Sequence, residues 1–381
     1  MKKIKYNLKK MLKFLPIFIR SFILEHWSIF YYDDYKNIKA QIECYKPLYT
    51  KFDSLEDTRN LLNKIAFSGR KGIITCEHFC SEQLKQITDK NLKNNNLIVV
   101  CVVKNELGRI ERWLDYYRKI GIKAFAIFDD NSNDGTREYL LKQSDVEVFV
   151  GTHDYTTINK IVWINMIIAI FGYDKWYLVV DSDELFTYKN MENIKIDKYV
   201  KTLKSNHVLI EPSMMLDMYS DSNIFSVSSK DNYEKKCCYF DNLGYYIKKT
   251  SEANYIVGGV RKRIFDNTKF QCLPVLSKKS LMFMTKNTFV YTAHTIYPFK
   301  YNYLCNFNSV LRHYKFLKED YKNYVERVEK NNFYNASSEY KAYLDLYHKN
   351  TLINLKNSKS LKWKDSNSIN KIKISDKAVT K

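Results

Sequence analysis

Three features are missing from the sequence, and each absence narrows the functions that it can have. No two of the eight cysteines have CxxC spacing, so paired zinc ligands are absent and reduced thiols are expected. Charged residues and Pro16 interrupt the apolar stretch before residue 30, so it is too short for a membrane-spanning helix of about 20 residues. The sequence also contains no zinc finger, RNP-type aromatic motif or heptad-linked basic region, which argues against nucleic acid as a partner.

The basic charge and the N-terminal segment indicate where the protein acts. With 62 Lys and Arg against 42 Asp and Glu, the net charge of +20 favours anionic lipid or phosphorylated substrates. Residues 1–95 are predicted as a helical, Lys- and Asn-rich extension. Its first 30 residues suit either an interfacial helix on an anionic membrane or an ordinary helix packed on the domain. Because no signal-peptide cleavage site follows, we expect a cytoplasmic protein, free or peripheral on the inner face of the cytoplasmic membrane.

Apolar runs of strand length alternate with segments of helix length after residue 96. The predicted strands are 97–103, 124–128, 146–150 and 176–180, and the clearest helices are 107–120 and 157–171. This alternation predicts an α/β domain over 96–350 with a doubly wound sheet, whose ligands bind at the carboxyl ends of the strands. The Lys-, Ser- and Asn-rich residues 351–381 are predicted to be a disordered tail.

Polar side chains follow three of these predicted strands. The three clusters are Asn105 and Glu106, Asp129 and Asp130, and the run Asp181, Ser182, Asp183 and Glu184. In an extended segment, Asp181 and Asp183 would project to the same side and share one divalent cation. Mg²⁺ or Mn²⁺ held in this way stabilises a leaving diphosphate. An acidic triplet is also common in solvated turns, but the buried strand before it favours a binding site.

Six stretches of the chain match a known family in order and spacing. The stretches are 102–106, 112–117, 128–136, 176–186, 258–263 and 313–317. With them, residues 97–345 resemble the family 2-like glycosyltransferases of the GT-A fold, in the bacterial branch related to family 92. The resemblance implies a GT-A-type, Rossmann-like mixed sheet with a helical N-terminal extension and a helical C-terminal region. It also implies transfer of a sugar from a nucleotide-diphosphate donor to a glycan or lipid-linked acceptor, in bacterial surface polysaccharide or lipopolysaccharide synthesis.

The same resemblance implies roles for individual residues. Asp129 or Asp130 would contact the base or ribose of the nucleotide, and Asn105 and Glu106 would line the same pocket. Mn²⁺ or Mg²⁺ would bind Asp181 and Asp183. A later histidine often completes the coordination, and His294 is the candidate, although a lone histidine is more often structural.

Three further assignments leave alternatives open. Arg261 and Arg263 alternate on a predicted strand at 258–265 and either bind diphosphate or lie on a solvent-facing edge. The base of an inverting transfer is assigned first to Asp217, ahead of Glu184 and Glu211. His313 lies at the start of a predicted helix, 310–330, where packing is its default role and contact with the acceptor is the alternative.

Two other function classes compete with the transferase. A nucleotidyltransferase would also use paired carboxylates and a metal ion, but it should carry a glycine-rich or basic phosphate loop near its first strand. Residues 102–106 contain no glycine. A non-catalytic peripheral membrane or glycan-binding protein with a decayed site would show no metal-dependent nucleotide binding. The acidic residues present in all three clusters argue against it.

Overall fold

The computed structural model describes residues 84–375, apart from 153, 251–252, 271–272, 286–287, 331–333 and 351, together with 15–17 and 19. Most of the predicted extension 1–95 therefore lies outside the described residues. The sheet begins before the predicted boundary at residue 96, because the strand Lys85–Gln86 pairs with Val146–Val150. Among the described helices, none has both the length and the apolar composition needed to cross a membrane.

The described residues form an α/β fold around one large mixed sheet. In chain order the strands are β1 (Lys85–Gln86), β2 (Leu97–Val103), β3 (Phe125–Asp129), β4 (Val146–Val150), β5 (Lys175–Val179), β6 (Glu184–Tyr188), β7 (Ile210–Asp217), β8 (Tyr239–Asp241), β9 (Tyr245–Lys249), β10 (Asn254–Gly258), β11 (Ser277–Met284), β12 (Phe289–Val290), β13 (Ile296–Tyr297), β14 (Ser309–His313), β15 (Ser360–Lys362) and β16 (Ile374–Ser375). Nine strands of this described part make the central sheet, in the order β1-β4-β3-β2-β5-β11-β7-β14-β6.

Helices cover both faces of the sheet. They are α1 (Leu107–Ile120), α2 (Thr136–Leu141), α3 (Thr157–Phe171), α4 (Ile196–Ser205), α5 (Tyr233–Lys236), α6 (Gly259–Asp266), α7 (Lys318–Lys330) and α8 (Tyr334–Lys349). On one face, Trp113 and Tyr117 of α1 pack into the core with their ring centroids 4.6 Å apart. On the other face, Trp163 of α3 stacks on Phe128 of β3 at 3.9 Å.

The parallel part of the sheet follows the predicted pattern closely. Strands β4, β3, β2 and β5 are parallel neighbours, and each lies within one residue of its predicted bounds. Helix α1 buries its apolar stripe and ends at Gly121, whose positive φ of 109° suits glycine. Helix α3 begins at Thr156, whose hydroxyl accepts a hydrogen bond from the Asn159 amide. The carboxyl ends of these strands therefore share one edge of the sheet, as predicted.

The antiparallel part contains a strand that the sequence misassigned. Residues predicted as the beginning of a helix at 310–330 form β14, which lies between β7 in parallel and β6 in antiparallel orientation. Helix α7 begins only at Lys318. The prediction was wrong because the apolar residues of a buried strand happened to continue the spacing of the following amphipathic helix. In the observed register, His313 is paired with Asp217 on one side and with Glu184 on the other.

The predicted strand 258–265 is also corrected. Strand β10 ends at Gly258, and α6 begins at Gly259, so residues 259–265 are helical. Gly258 has a φ of 119°, and a Cβ atom there would lie 2.1 Å from the Gly244 carbonyl oxygen. The glycine pair therefore breaks the strand and permits the close approach of β9 to the turn.

The predicted disordered tail contains ordered structure. Strand β15 pairs with β8, and β16 pairs with β9. A 3-10 helix, Ser366–Lys371, lies between them, and the Glu192 carboxylate accepts a 2.9 Å hydrogen bond from the Ser366 amide. Residues 352–375 thus pack on the domain despite their polar composition.

Candidate functional site

A cavity of about 530 Å³ opens at the carboxyl ends of β2, β3 and β5. Its floor comes from the residues that follow these strands and from His313 at the end of β14. Helices α7 and α8 form the opposite wall, with Tyr324, Arg327 and Tyr340 on the lining. Residues from all three clusters predicted from the sequence line this cavity. The parallel strands therefore bring these clusters to one edge of the sheet.

The acidic run adopts a tight turn instead of an extended segment. The Glu184 amide donates to the Asp181 carbonyl oxygen at 3.1 Å, and the Asp181 amide donates to the Glu184 carboxylate at 2.9 Å. The argument from alternating strand side chains therefore does not apply at these positions. Asp181 and Asp183 nevertheless both line the cavity, because the turn points both carboxylates toward it.

Two lysines hold the Asp181 side of this turn. Lys160 of α3 contacts Oδ1 of Asp181, and Lys278 of β11 lies 3.2 Å from its Oδ2. Lys278 also donates to both oxygens of Glu184, at 2.6 and 2.7 Å. Burial opposes ionisation of Asp181, but the two ammonium groups keep its pKa below the usual range. Asp181 and Glu184 are therefore carboxylates fixed by a lysine pair.

Asp183, also in this turn, lies beside a histidine. Oδ2 of Asp183 lies 3.3 Å from His313 Nε2, while His313 Nδ1 lies 2.7 Å from Asp217 Oδ1. Arg261 of α6 donates through Nε to the other Asp217 oxygen at 3.1 Å. Burial alone would lower the pKa of His313, but the Asp183 and Asp217 carboxylates raise it to about 9. Asp217 thereby orients the imidazole so that Nε2 faces Asp183.

Within the described residues, metal-ligand atoms converge at Asp183, Glu184 and His313, all within 4.8 Å of one another. Glu184 is fully buried, and both of its oxygens are occupied by Lys278. Asp183 and His313 are the members that line the cavity.

His294, the predicted histidine ligand, lies elsewhere. Its Nδ1 is 3.1 Å from the Ser277 carbonyl oxygen, and it is absent from the converging group. Burial, together with nearby Lys278, lowers the pKa of His294 to about 4. The geometry favours His313 in its place. The sequence did contain a signal for a role of His313 in the site, because this residue begins one of the six family-like stretches. The predicted helix at 310–330, however, led to its assignment as a packing residue.

The residues predicted as the base are not open to the cavity. Asp217 is 3% exposed and Glu184 is 0% exposed, and neither is part of the lining. The Asp217 oxygens contact His313 and Arg261, and Glu184 is held by Lys278. Glu211 lies at the opposite end of β7 from Asp217, about 20 Å away at the usual rise along a strand. This arrangement disfavours all three as acceptors of a substrate proton.

The nucleotide-binding candidates divide into two groups. Asn105, Glu106 and Asp130 line the cavity, and Asp130 pairs with Lys104 at 3.1 Å. Asp129 is fully buried below them, and its carboxylate accepts hydrogen bonds from Arg137 and from the Ser132 amide. Asp129 therefore supports the loop that follows β3, while Asp130 is the member that faces the cavity.

Arg261 and Arg263 are internal partners of acidic residues. Arg261 is buried against Asp217 and lies 3.5 Å from Glu339, and Arg263 donates to Asp241 at 2.8 and 3.0 Å. Neither arginine lines the cavity. The helix in place of the predicted strand explains the difference, because it turns both side chains toward the protein interior.

The cations that do line the cavity were missed from the sequence. They are Lys104, Arg109, Lys160, Lys315, Arg327 and Lys330. Lys104 and Lys315 lie within the family-like stretches 102–106 and 313–317, but no local motif marks the other four in a sequence with 62 Lys and Arg.

Comparisons with known proteins identify no family for this chain. No protein-family model matches it, and no curated protein matches it. Among solved structures, it is similar to the crystal structure of S. aureus TarS 1-349, with 11% sequence identity and a TM-score of 0.27. The match covers 68% of this chain and 73% of that chain. A likeness of this size carries no functional conclusion.

Proposed function

We propose that this protein is a metal-dependent glycosyltransferase of the GT-A type. It would move a sugar from a nucleotide-diphosphate donor to a glycan or lipid-linked acceptor, with inversion, in bacterial surface polysaccharide or lipopolysaccharide synthesis. One observation carries the proposal: Asp181, Asp183 and His313 meet a set of lysines and arginines in one cavity at the carboxyl ends of the strands. Carboxylates beside cations at this edge suit a ligand with a diphosphate group.

The charge of the lining supports a bound divalent cation. The carboxylates that line the cavity are Glu106, Asp130, Asp154, Asp181, Asp183, Asp320 and Glu326, seven in all, against six lysines and arginines and His313, whose pKa is raised to about 9. A bound nucleoside diphosphate would add negative charge that the lining residues alone do not neutralise. Mn²⁺ or Mg²⁺ takes such carboxylates together with phosphate oxygens.

Asp183 and His313 fit the requirements of such an ion best. His313 Nδ1 is held by Asp217, which leaves Nε2 directed at the Asp183 carboxylate. A carboxylate behind a ligating histidine is the usual way in which ring orientation is fixed at metal sites. When bound, the ion would supply Lewis-acid stabilisation to the leaving diphosphate. Asp181 would remain a neighbour held by Lys160 and Lys278.

The other lining residues would bind and orient the donor. Lys315, between β14 and α7, and Arg327 of α7 line the cavity and would contact phosphate oxygens. Asn105 and Asp130 would contact the nucleoside from the ends of β2 and β3. The aromatic rings of Tyr324 and Tyr340 offer apolar faces on the wall that α7 and α8 form.

Calorimetric titration with a panel of nucleoside diphosphates, with and without Mn²⁺, tests the proposal. We expect the wild type to bind at least one of them more tightly when Mn²⁺ is present, and Asp183→Ala to lose that metal-dependent gain. Asp266→Ala is the matched control, because Asp266 forms only a surface ion pair with Lys262. Absence of metal-dependent binding to every member of the panel would overturn the proposal and favour the non-catalytic binding protein.

A further inference from the structure

A second groove adjoins the cavity. It encloses about 700 Å³ between the beginning of α1, residues 229–230 and the beginning of α7. Five residues line both the groove and the cavity: Asn105, Glu106, Arg109, Asp320 and Asn323. A ligand in the groove would therefore meet a donor in the cavity at these residues.

The groove differs in charge from the protein as a whole. Its lining carboxylates are Glu106, Glu111, Asp115, Asp134, Glu319 and Asp320, against Arg109, Arg112 and Lys230. The protein carries a net charge of +20, yet this groove is locally acidic. An acidic groove repels phosphate and suits a hydroxyl-rich ligand that is neutral or carries an amine. It is thus chemically suited to the part of an acceptor that receives the sugar.

Glu106 is held rigidly where the two spaces join. Its amide donates to Thr136 Oγ1 at 2.9 Å, and its carbonyl oxygen accepts from the Arg109 and Ile110 amides of α1. Its side chain is 12% exposed. The backbone at Glu106 is therefore fixed in position, while its side chain remains partly exposed to a ligand.

The Glu106 carboxylate is paired more weakly than that of Asp320. Arg109 Nη1 donates to the two Glu106 oxygens at 3.2 and 3.4 Å, whereas Arg109 gives Asp320 two hydrogen bonds of 2.9 Å through Nη2. Burial raises the pKa of Glu106 to about 7 against the opposing charge of Arg109. The charges of Asp320 and Asp183 contribute to this rise, and Arg327 opposes it.

The other carboxylates of the cavity are less suited to accept a proton. Asp130 is paired with Lys104, Asp181 with two lysines, and Asp183 with His313. Asp320 is paired with Arg109 and accepts from the Leu317 amide. The remaining two, Asp154 and Glu326, are exposed at the rim.

We propose that Glu106 is the catalytic base and that the acidic groove binds the acceptor. This inference rests on the proposed glycosyltransferase function. As the acceptor oxygen bonds to the anomeric carbon, the bond from that carbon to the donor phosphate oxygen breaks, and the nucleoside diphosphate leaves with the electron pair. The acceptor's hydroxyl proton passes to the Glu106 carboxylate and is later released to water.

Release of nucleoside diphosphate from a panel of nucleotide sugars in Mn²⁺ tests this role, with water or added simple sugars as the acceptor. We expect Glu106→Gln to lower kcat by at least 100-fold, the usual range for loss of a general base, while Mn²⁺-dependent binding of the nucleoside diphosphate persists. The wild-type kcat/KM should rise with pH to a plateau above about 7, and that rise should disappear in the variant.

A second variant guards against a folding defect. Glu106→Asp keeps the carboxylate but withdraws it by one methylene group, so it should retain more turnover than Glu106→Gln at similar thermal stability. A loss in kcat smaller than 100-fold for Glu106→Gln, or an unchanged pH dependence, overturns the base assignment while the transferase proposal survives. Absence of both turnover and nucleotide binding in the wild type overturns the two together.

Discussion

His313 joins one carboxylate at the end of β7 and one in the turn before β6: its Nδ1 lies 2.7 Å from Asp217 Oδ1, and its Nε2 lies 3.3 Å from Asp183 Oδ2. The contact exists because β14 inserts between β7 and β6 with His313 in register with Asp217. Asp217 also accepts from Arg261, so the chain of contacts runs from a buried arginine to the cavity.

Substitution of Asp217 should affect both stability and metal binding. Asp217→Asn removes a buried charge and leaves Arg261 without its closest partner, so we expect a loss of about 3 kcal/mol in the free energy of unfolding. Because His313 also loses its anchor, Mn²⁺ affinity should fall by about 10- to 100-fold. Urea unfolding and Mn²⁺ calorimetry measure the two effects. Asp266→Asn is the control, and equal behaviour of the two variants would contradict the anchoring role.

The buried pair of Arg109 and Asp320 should couple α1 to α7. Its two hydrogen bonds of 2.9 Å are shielded from water, since both side chains are under 10% exposed. Removing either partner leaves a buried charge, so Arg109→Met and Asp320→Asn should each cost about 3 kcal/mol or more. The double variant should cost clearly less than the sum of the two. Additive losses in urea unfolding would show that the pair is not coupled.

Glu211 should give the protein a defined pH dependence of stability. Burial raises its pKa from 4.5 to about 6 in the folded state. Stabilisation by the protonated form is therefore complete below pH 4.5 and is lost as the pH rises through 6.

Glu211→Gln is neutral at every pH and should keep this stabilisation. Its advantage over the wild type should grow from pH 4.5 and level off above 6, reaching about 2 kcal/mol. Urea midpoints at several pH values test this, and a difference independent of pH would contradict it.

Gly258 and Gly172 provide a matched test of steric space. Both have a positive φ with an extended ψ, a conformation that costs other residues about 2 kcal/mol. At Gly172 an added Cβ meets nothing within 4 Å, whereas at Gly258 it lies 2.1 Å from the Gly244 carbonyl oxygen. Gly258→Ala should therefore destabilise the protein by about 2 kcal/mol more than Gly172→Ala. Equal losses in thermal unfolding would show that β9 can move to make room.

The local pattern of apolar and polar residues predicted the parallel half of the fold, because each helix and strand there is regular and has clear ends in the sequence. Helix α1 has a clear apolar stripe and a terminal glycine, and β2 and β4 are apolar runs between polar segments. The same rule correctly indicated that Asn105, Asp130, Asp181 and Asp183 would share one edge.

The rest of the site depends on long-range pairing that no local pattern encodes. His313 faces Asp217 through a contact between residues 96 positions apart in the chain. Lys278 reaches Glu184 from a strand 94 positions later. Arg261 and Arg263 were assigned to a strand because their alternation resembled one, whereas the glycines at 258 and 259 begin a helix.

The insertion of β14 affects the order in which the parts of the cavity form. Strands β6 and β7 are synthesised first, yet they are not neighbours; each pairs with β14, made about 90 residues after β7. Until that segment has left the ribosome, both strands expose an open hydrogen-bonding edge, and His313 is absent from the site. Closure of a loop of this length makes the pairing slow relative to the local βα units. The nascent chain should therefore complete the edge formed by β2, β3 and β5 before the proposed metal site at Asp183 and His313.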